Sequence, residues 1–254
     1  MFKETRTRDT WRQAGNLIFA LTQIAAGYVF TIFAVGRSLN SSAAAYPTPV
    51  IPAGYAFSIW GIIFLFSLAY AIYQLLPSQR ENSLLRRLGW FTASAFFFNT
   101  VWELVAQLVT FNWPTLFIIV LILVSALAAF FRLPAYRKLE RREKWLVFTP
   151  VSLLAGWVSA ATFVNLSSVL NQLNFNNFGF SLAGFSLLII ALACLFAAFI
   201  LYKSGGNVLY GLTVIWALVA ILVANLTRAY EPGAAILAGI FALVVLVELY
   251  LLNL

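Results

Sequence analysis

Eight runs of about twenty mostly apolar residues follow one another along the chain, and about twenty is what a helix needs to cross the hydrocarbon core of a bilayer. They lie at residues 15–36, 55–76, 88–110, 115–133, 144–166, 180–202, 208–227 and 234–254. Breakers separate several of them: Pro77, Pro114, the Gly205-Gly206 pair and Pro232-Gly233. Composition agrees with a membrane chain. Hydrophobic residues make up 63% and charged residues 9%, too little polar surface to cover a soluble globule. Mean hydropathy is +0.92. The expectation is an all-α, polytopic membrane bundle of about eight transmembrane helices.

The basic residues set the orientation. Lys3, Arg6, Arg8, Arg12, Arg80, Arg86, Arg87, Arg132, Arg137, Lys138, Arg141, Arg142, Lys144 and Lys203 fall on one side of the eight-span arrangement. Only Arg37 and Arg228 fall on the other. The positive-inside rule then places both termini in the cytoplasm. The net charge of +8 is therefore read as cytoplasmic loops, not as a nucleic-acid surface. The first run is longer than the 7–15 residues of a signal-peptide core, so it reads as a span. No transit peptide is apparent, which makes a bacterial inner membrane the default.

Chemistry is bounded by what is scarce. There is no His, one Met and one Cys. That excludes a disulfide within the chain, a His- or Cys-built metal site and imidazole catalysis. No nucleophile–base pair is visible, so an enzyme is the least supported class. In the third run Asn99, Glu103 and Gln107 recur every four residues and share one helical face, with Trp102 beside them. A carboxylate at membrane depth costs roughly 2.5–3.5 kcal/mol or more unless it is paired or neutralised. Burial favours the neutral, hydrogen-bonding acid. Either an interhelical hydrogen bond or a ligand or proton site accounts for it. In the fifth run Ser152, Gly156 and Ala160 form a small-residue stripe that permits close helix packing. Pro52 and Gly54 open the second run sharply, and Tyr55, Phe57 and Trp60 follow at once. Such an aromatic cluster suits a flat apolar ligand as well as it suits ordinary packing at the membrane interface. Two outer loops, residues 37–54 and the amide-rich 167–179, are long enough to act as lids, and plain surface loops account for them equally well.

Three of these segments, in order, resemble one family, the TspO/MBR or tryptophan-rich sensory proteins. Pro52, Gly54, Phe57 and Trp60 are similar to its Pro-x-Gly-Trp-x-Phe…Trp opening. Asn99-Thr100-Val101-Trp102 resembles its Asn-x-x-Trp element, and Pro114 opens the fourth run as a proline does in the family. Trp157 through Asn165 resembles its Trp-x-x-Phe-Ala-x-x-Leu-Asn, with the same Trp-to-Asn spacing. The likeness covers about residues 14–170. It implies a five-helix bundle (residues 1–170), here extended by three further helices (171–254). It also implies a pocket roofed by the first loop, and a porphyrin or related pigment as ligand. Carried over residue by residue, the pocket candidates are Tyr55, Phe57, Trp60, Asn99, Trp102, Trp157, Ala161 and Asn165, to which the helical spacing adds Glu103. Sterol binding is not implied, because residues 166–175 lack the Tyr and Arg of the animal relatives. The expected function is binding of a planar apolar ligand, a tetrapyrrole by resemblance, as sensor or carrier. The alternatives are a proton-coupled or facilitative transporter and an assembly subunit of a membrane complex. Expected partners are the bilayer, the small ligand and a second copy or another membrane protein.

Overall fold

The computed structural model describes residues 2–33, 36–174, 179, 181–228 and 231–253. Among them are eight long helices and no strand. They are α1 (Phe2–Ile32), α2 (Ile59–Leu75), α3 (Ser83–Val109), α4 (Trp113–Phe130), α5 (Thr149–Gln172), α6 (Leu182–Lys203), α7 (Val208–Thr227) and α8 (Pro232–Leu252). Residues 175–178 of the amide-rich loop and residue 180 lie outside the described residues.

Among the described residues six helices are long and apolar enough to cross a membrane: α2, α4, α5, α6, α7 and α8, with the short turns that lead into α2 and α5. The other two, α1 and α3, are longer still, at 31 and 27 residues. They carry several of the buried polar side chains of the bundle. Gln13, Asn16 and Gln23 of α1 and Asn99, Glu103 and Gln107 of α3 are all buried. A polar residue satisfied by the facing helix is withheld from lipid, so a hydropathy average understates how apolar the lipid-facing sides of these two helices are.

Local chemistry sets the helix ends. Asn82 caps α3, accepting from the amides of Leu84 and Leu85. At α4, Asn112 and Thr115 bond reciprocally to each other's backbone N–H as a capping box, and Pro114 occupies the first turn, where no donor is needed. Ahead of α5 the backbone runs as one π-turn, Lys144–Phe148, just before Pro150, a residue that has no N–H to offer the helix.

The centre of the molecule is α5. It packs against α2, α4, α6 and α7, and 78% of its most apolar window is buried. The stripe read from the sequence is its contact with α7. Asn207 donates to Ser152 Oγ at 2.9 Å. At Gly156 a β-carbon would lie 2.9 Å from the Tyr210 carbonyl oxygen, so only glycine allows this approach. The last three helices are thus built onto the centre of the bundle.

Candidate functional site

The turn between α3 and α4 starts the site. Thr110 has φ of 68°, a left-handed conformation that costs a β-branched residue. The turn delivers Phe111 into the interior, where its ring lies 5.6 Å from that of Trp102. From the other side comes the short 3-10 turn Gly54–Ser58, which feeds Phe57 and Trp60 inward at the head of α2. Trp60 meets Trp102 at 6.1 Å and Trp157 at 6.2 Å, the latter edge to face. Phe57 meets Trp157 at 6.2 Å. Behind this cluster Phe64 stacks on Trp60 at 5.4 Å.

These rings line one cavity, together with Pro52, Ala160, Ala161, Val164, Ala217 and Ile221. Trp60, Trp102 and Trp157 are at most 5% exposed, whereas Trp90 and Trp145 are 42% and 57% exposed. The three indole N–H groups of the cluster are buried and have no hydrogen-bond partner. Each orphaned donor costs about 1–3 kcal/mol. The rings leave only about 10 Å³ free, the room of roughly one water. The lining chemistry suits a flat apolar ring carrying acceptors. Its volume does not hold a tetrapyrrole until rings move. A second, aliphatic cavity of about 30 Å³ adjoins the first through Ala160, Val164, Ala217 and Ile221, and Cys194 lies in its wall.

A roof closes the site, and α5 and α7 hold it. The first loop buries Val50 and Ile51. Ala53 N–H donates to the Ala220 carbonyl at 2.9 Å, and Asn225 Nδ2 to the Pro49 carbonyl at 2.8 Å. Trp216 Nε1 donates to the Ala56 carbonyl at 3.1 Å. Thr48 and Ser167 share a hydroxyl bond at 3.0 Å.

Of the nine residues proposed from the sequence, the cavity brings together Phe57, Trp60, Trp102, Trp157 and Ala161. The other four stand outside it. Tyr55 is 44% exposed and packs edge to face on Trp216, bracing the roof. Asn165 accepts from the Thr115 hydroxyl at 3.2 Å and so ties α5 to α4. Asn99 and Glu103 turn from the cavity to α1, because the four-residue spacing that aligns them with Gln107 puts Trp102 on the adjoining face. Asn99 Nδ2 donates to Gln23 Oε1 at 3.2 Å. The sequence reading missed Phe111, which no motif marks, and the Ala217 and Ile221 wall, which lies in the last three helices.

At the α1 N-terminal end, outside the apolar runs, a charged clasp joins three helices. Arg12 is 1% exposed and bonds Gln74 and the Arg80 carbonyl. The single N–H of Arg86 Nε is shared between both Asp9 carboxylate oxygens, and its Nη2 donates to one of them. Burial alone would push the Asp9 carboxyl up, but the Arg86 hydrogen bonds and charge, with Arg12 behind them, outweigh it and hold Asp9 below its ordinary value.

A family model described as TSPO-like protein matches residues 13–251. The match runs through all eight helices, beyond the residues 14–170 that carry the motifs. No curated protein and no solved structure matches the chain.

Proposed function

From the premise that the chain belongs to the TSPO-like protein family, we propose that it is an integral membrane protein that binds a flat, largely apolar ligand among Phe57, Trp60, Trp102, Phe111 and Trp157. The observation that carries this reading is the set of three unpartnered indole donors on rings around one cavity. A well-packed apolar core has no use for orphaned N–H groups, whereas a ring-shaped ligand with carbonyl or carboxylate acceptors would satisfy them and stack on the indole faces. A tetrapyrrole is the ligand class we propose. Without His, the porphyrin expected is metal-free or held without strong protein ligation of its metal. Entry requires the roof to lift and Trp60 or Phe57 to swing.

The test is titration of the protein in lipid nanodiscs with protoporphyrin IX. A shifted Soret band and quenched tryptophan emission are expected. Trp157→Phe, which keeps an aromatic ring and deletes a donor, should weaken binding by about fivefold to a hundredfold. A Soret band identical to that in protein-free nanodiscs overturns the reading.

The proposed arrangement in the membrane is eight spans with both termini cytoplasmic, in a bacterial inner membrane, supported by the distribution of Lys and Arg. Reporter fusions after residues 140 and 204 should read cytoplasmic, and one after residue 174 external. An external signal at residue 140 ends the eight-span arrangement.

A further inference from the structure

The α1–α3 seam is satisfied at both ends and open in the middle. Toward the charged clasp, Asn16 Nδ2 donates to the Gly89 carbonyl at 2.7 Å, and Thr92 donates to Asn16 Oδ1 at 2.7 Å and shares a bond with Tyr70 at 2.9 Å. Toward the other end, Gln107 Nε2 donates to the carbonyls of Ala26 and Glu103, each at 2.9 Å. Between these levels Gln23, Asn99 and Glu103 are completely buried. Gln23 Nε2, Asn99 Oδ1 and both carboxyl oxygens of Glu103 have no partner.

Among the described side chains no counter-charge lies at this level: the nearest cation is Arg37, whose backbone N–H donates to the Gln107 carbonyl at 2.9 Å and whose side chain is exposed. On α1 the neighbours are Gln23 and Gly27, and Tyr28 is half exposed on another side. On α2 it is Phe64. The other ionisable groups of α1 and α2 within the described side chains lie elsewhere: Arg8, Asp9 and Arg12 toward the clasp, Tyr70 on Thr92, and Tyr73 beyond it. On α3, Arg86 and Arg87 are four turns away. Helix α4 and the short roof helix Leu39–Ala43 carry no charged residue.

Complete burial without a counter-charge, with these donors and acceptors around it, then selects the state of Glu103. An ionised carboxylate only accepts. The two free N–H bonds of Gln23 Nε2 could reach its oxygens, but its charge would stay buried without a counter-charge, which costs far more than burying the neutral acid. A protonated carboxyl offers one O–H and one carbonyl oxygen. The O–H matches Asn99 Oδ1, one helical turn away, and the carbonyl matches Gln23 Nε2. One proton closes every orphan at this level after side-chain rotation alone. Gly27 borders both this level and the aromatic cluster. A β-carbon at Gly27 would lie 3.1 Å from the Phe64 ring and 3.8 Å from Glu103 Oε2, and Phe64 is stacked on Trp60.

We propose that Glu103, Asn99 and Gln23 form a binding site for a proton exchangeable with water, linked through Phe64 to the aromatic cavity, so that proton and ligand occupancy depend on each other. The linkage rests on the ligand-binding reading above; the proton site does not.

The test uses the full chain in nanodiscs. Infrared spectra at neutral pH should contain a carboxylic acid C=O band that moves in D2O and is absent from Glu103→Gln but present in Glu248→Gln, the control that removes the carboxyl carried by α8. If Glu103→Gln fails to fold, Asn99→Ala decides instead, because losing the acceptor should shift the same band. A missing band, one unmoved by D2O, or one insensitive to these substitutions overturns the proton site. The linkage is read from the affinity for protoporphyrin IX dimethyl ester, which has no ionisable carboxyl. Its pH dependence, at most tenfold per pH unit for one proton, should flatten in Glu103→Gln. Equal pH profiles in both proteins overturn the linkage. An ester that binds at no pH beside an intact infrared band overturns the ligand-binding reading and leaves the proton site standing.

Discussion

The α1–α3 seam and the aromatic cavity lie on adjoining faces of α3, and both are buried, but they are built on opposite principles. The seam is made of polar groups that answer one another across two helices, with a gap at Glu103. The cavity is made of large rings that fill space and leave their few polar atoms unanswered. In a membrane, where lipid is as apolar as leucine, hydrogen bonds and close packing hold helices together. The seam supplies the hydrogen bonds, and the α5–α7 contact at Gly156 supplies the packing. That frees the cavity between them to be imperfect, which is what a ligand site requires.

The contrast predicts that substitutions in the seam and at the packing contact cost stability, whereas those around the cavity change binding. The largest effect is expected at Arg12. Arg12→Ala leaves Gln74 without its partner and weakens the hold on Asp9 in a buried clasp. Each buried acceptor left without its donor costs about 1–3 kcal/mol, and the vacated volume of a fully buried side chain adds to that. The midpoint of thermal unfolding should fall steeply, and porphyrin affinity measured below that midpoint should not. Near-native thermal stability would mean the clasp is peripheral.

Gly156→Val should come next. Its side chain would meet backbone, the Tyr210 carbonyl, and not a flexible tip. Overpacking of this kind typically costs about 1–3 kcal/mol. Because α7 also holds the roof, the substitution should raise hydrogen exchange across residues 48–56 as well as lower stability. Lost stability with unchanged exchange there would separate the roof from the α5–α7 contact.

The two regions were unequally legible in the sequence. Glu103, Asn99 and Gln107 announce a buried polar face because a membrane span cannot carry them outward. What the spacing could not say is which neighbour they face, and they face α1. The aromatic residues were legible as a cluster through the family resemblance, and Trp60, Trp102 and Trp157 do converge. Phe111 was not, since it depends on the left-handed turn at Thr110, and a turn conformation at a threonine leaves no signature. Arg12 reads in sequence as one more cytoplasmic charge; its burial follows from α1 continuing as a helix past the apolar run, where Gly89 leaves room for it. The expected boundary near residue 170 took the last helices as an extension, whereas Ala217 and Ile221 line the same cavity as Trp157.

A smaller effect is expected at the roof. Trp216→Phe removes the bond to the Ala56 carbonyl and keeps a ring for Tyr55. The loss should be about 1 kcal/mol. It should appear as faster porphyrin association and dissociation, with the affinity changed much less. Unaltered rates would show that opening is limited by the rings and not by the roof.

The smallest effect should come from pH acting on the clasp, and its sign is fixed. Asp9 is held below its ordinary value of 3.8 by Arg86 and Arg12 against the opposing pull of burial. A carboxyl whose folded value is depressed stabilises the fold above the unfolded value and loses that contribution as pH falls through the folded one. Stability should therefore be insensitive to Asp9 from neutrality down to about pH 5 and decline below about pH 4. Arg86 is partly exposed, so salt should screen part of the effect. Asp9→Asn should be less stable than wild type at neutral pH, and the two unfolding midpoints should converge as the acid limb is descended. If the midpoints stay apart below pH 3, the Asp9 contribution is packing and not charge, and the clasp would then resemble the cavity, held by shape, more than the seam.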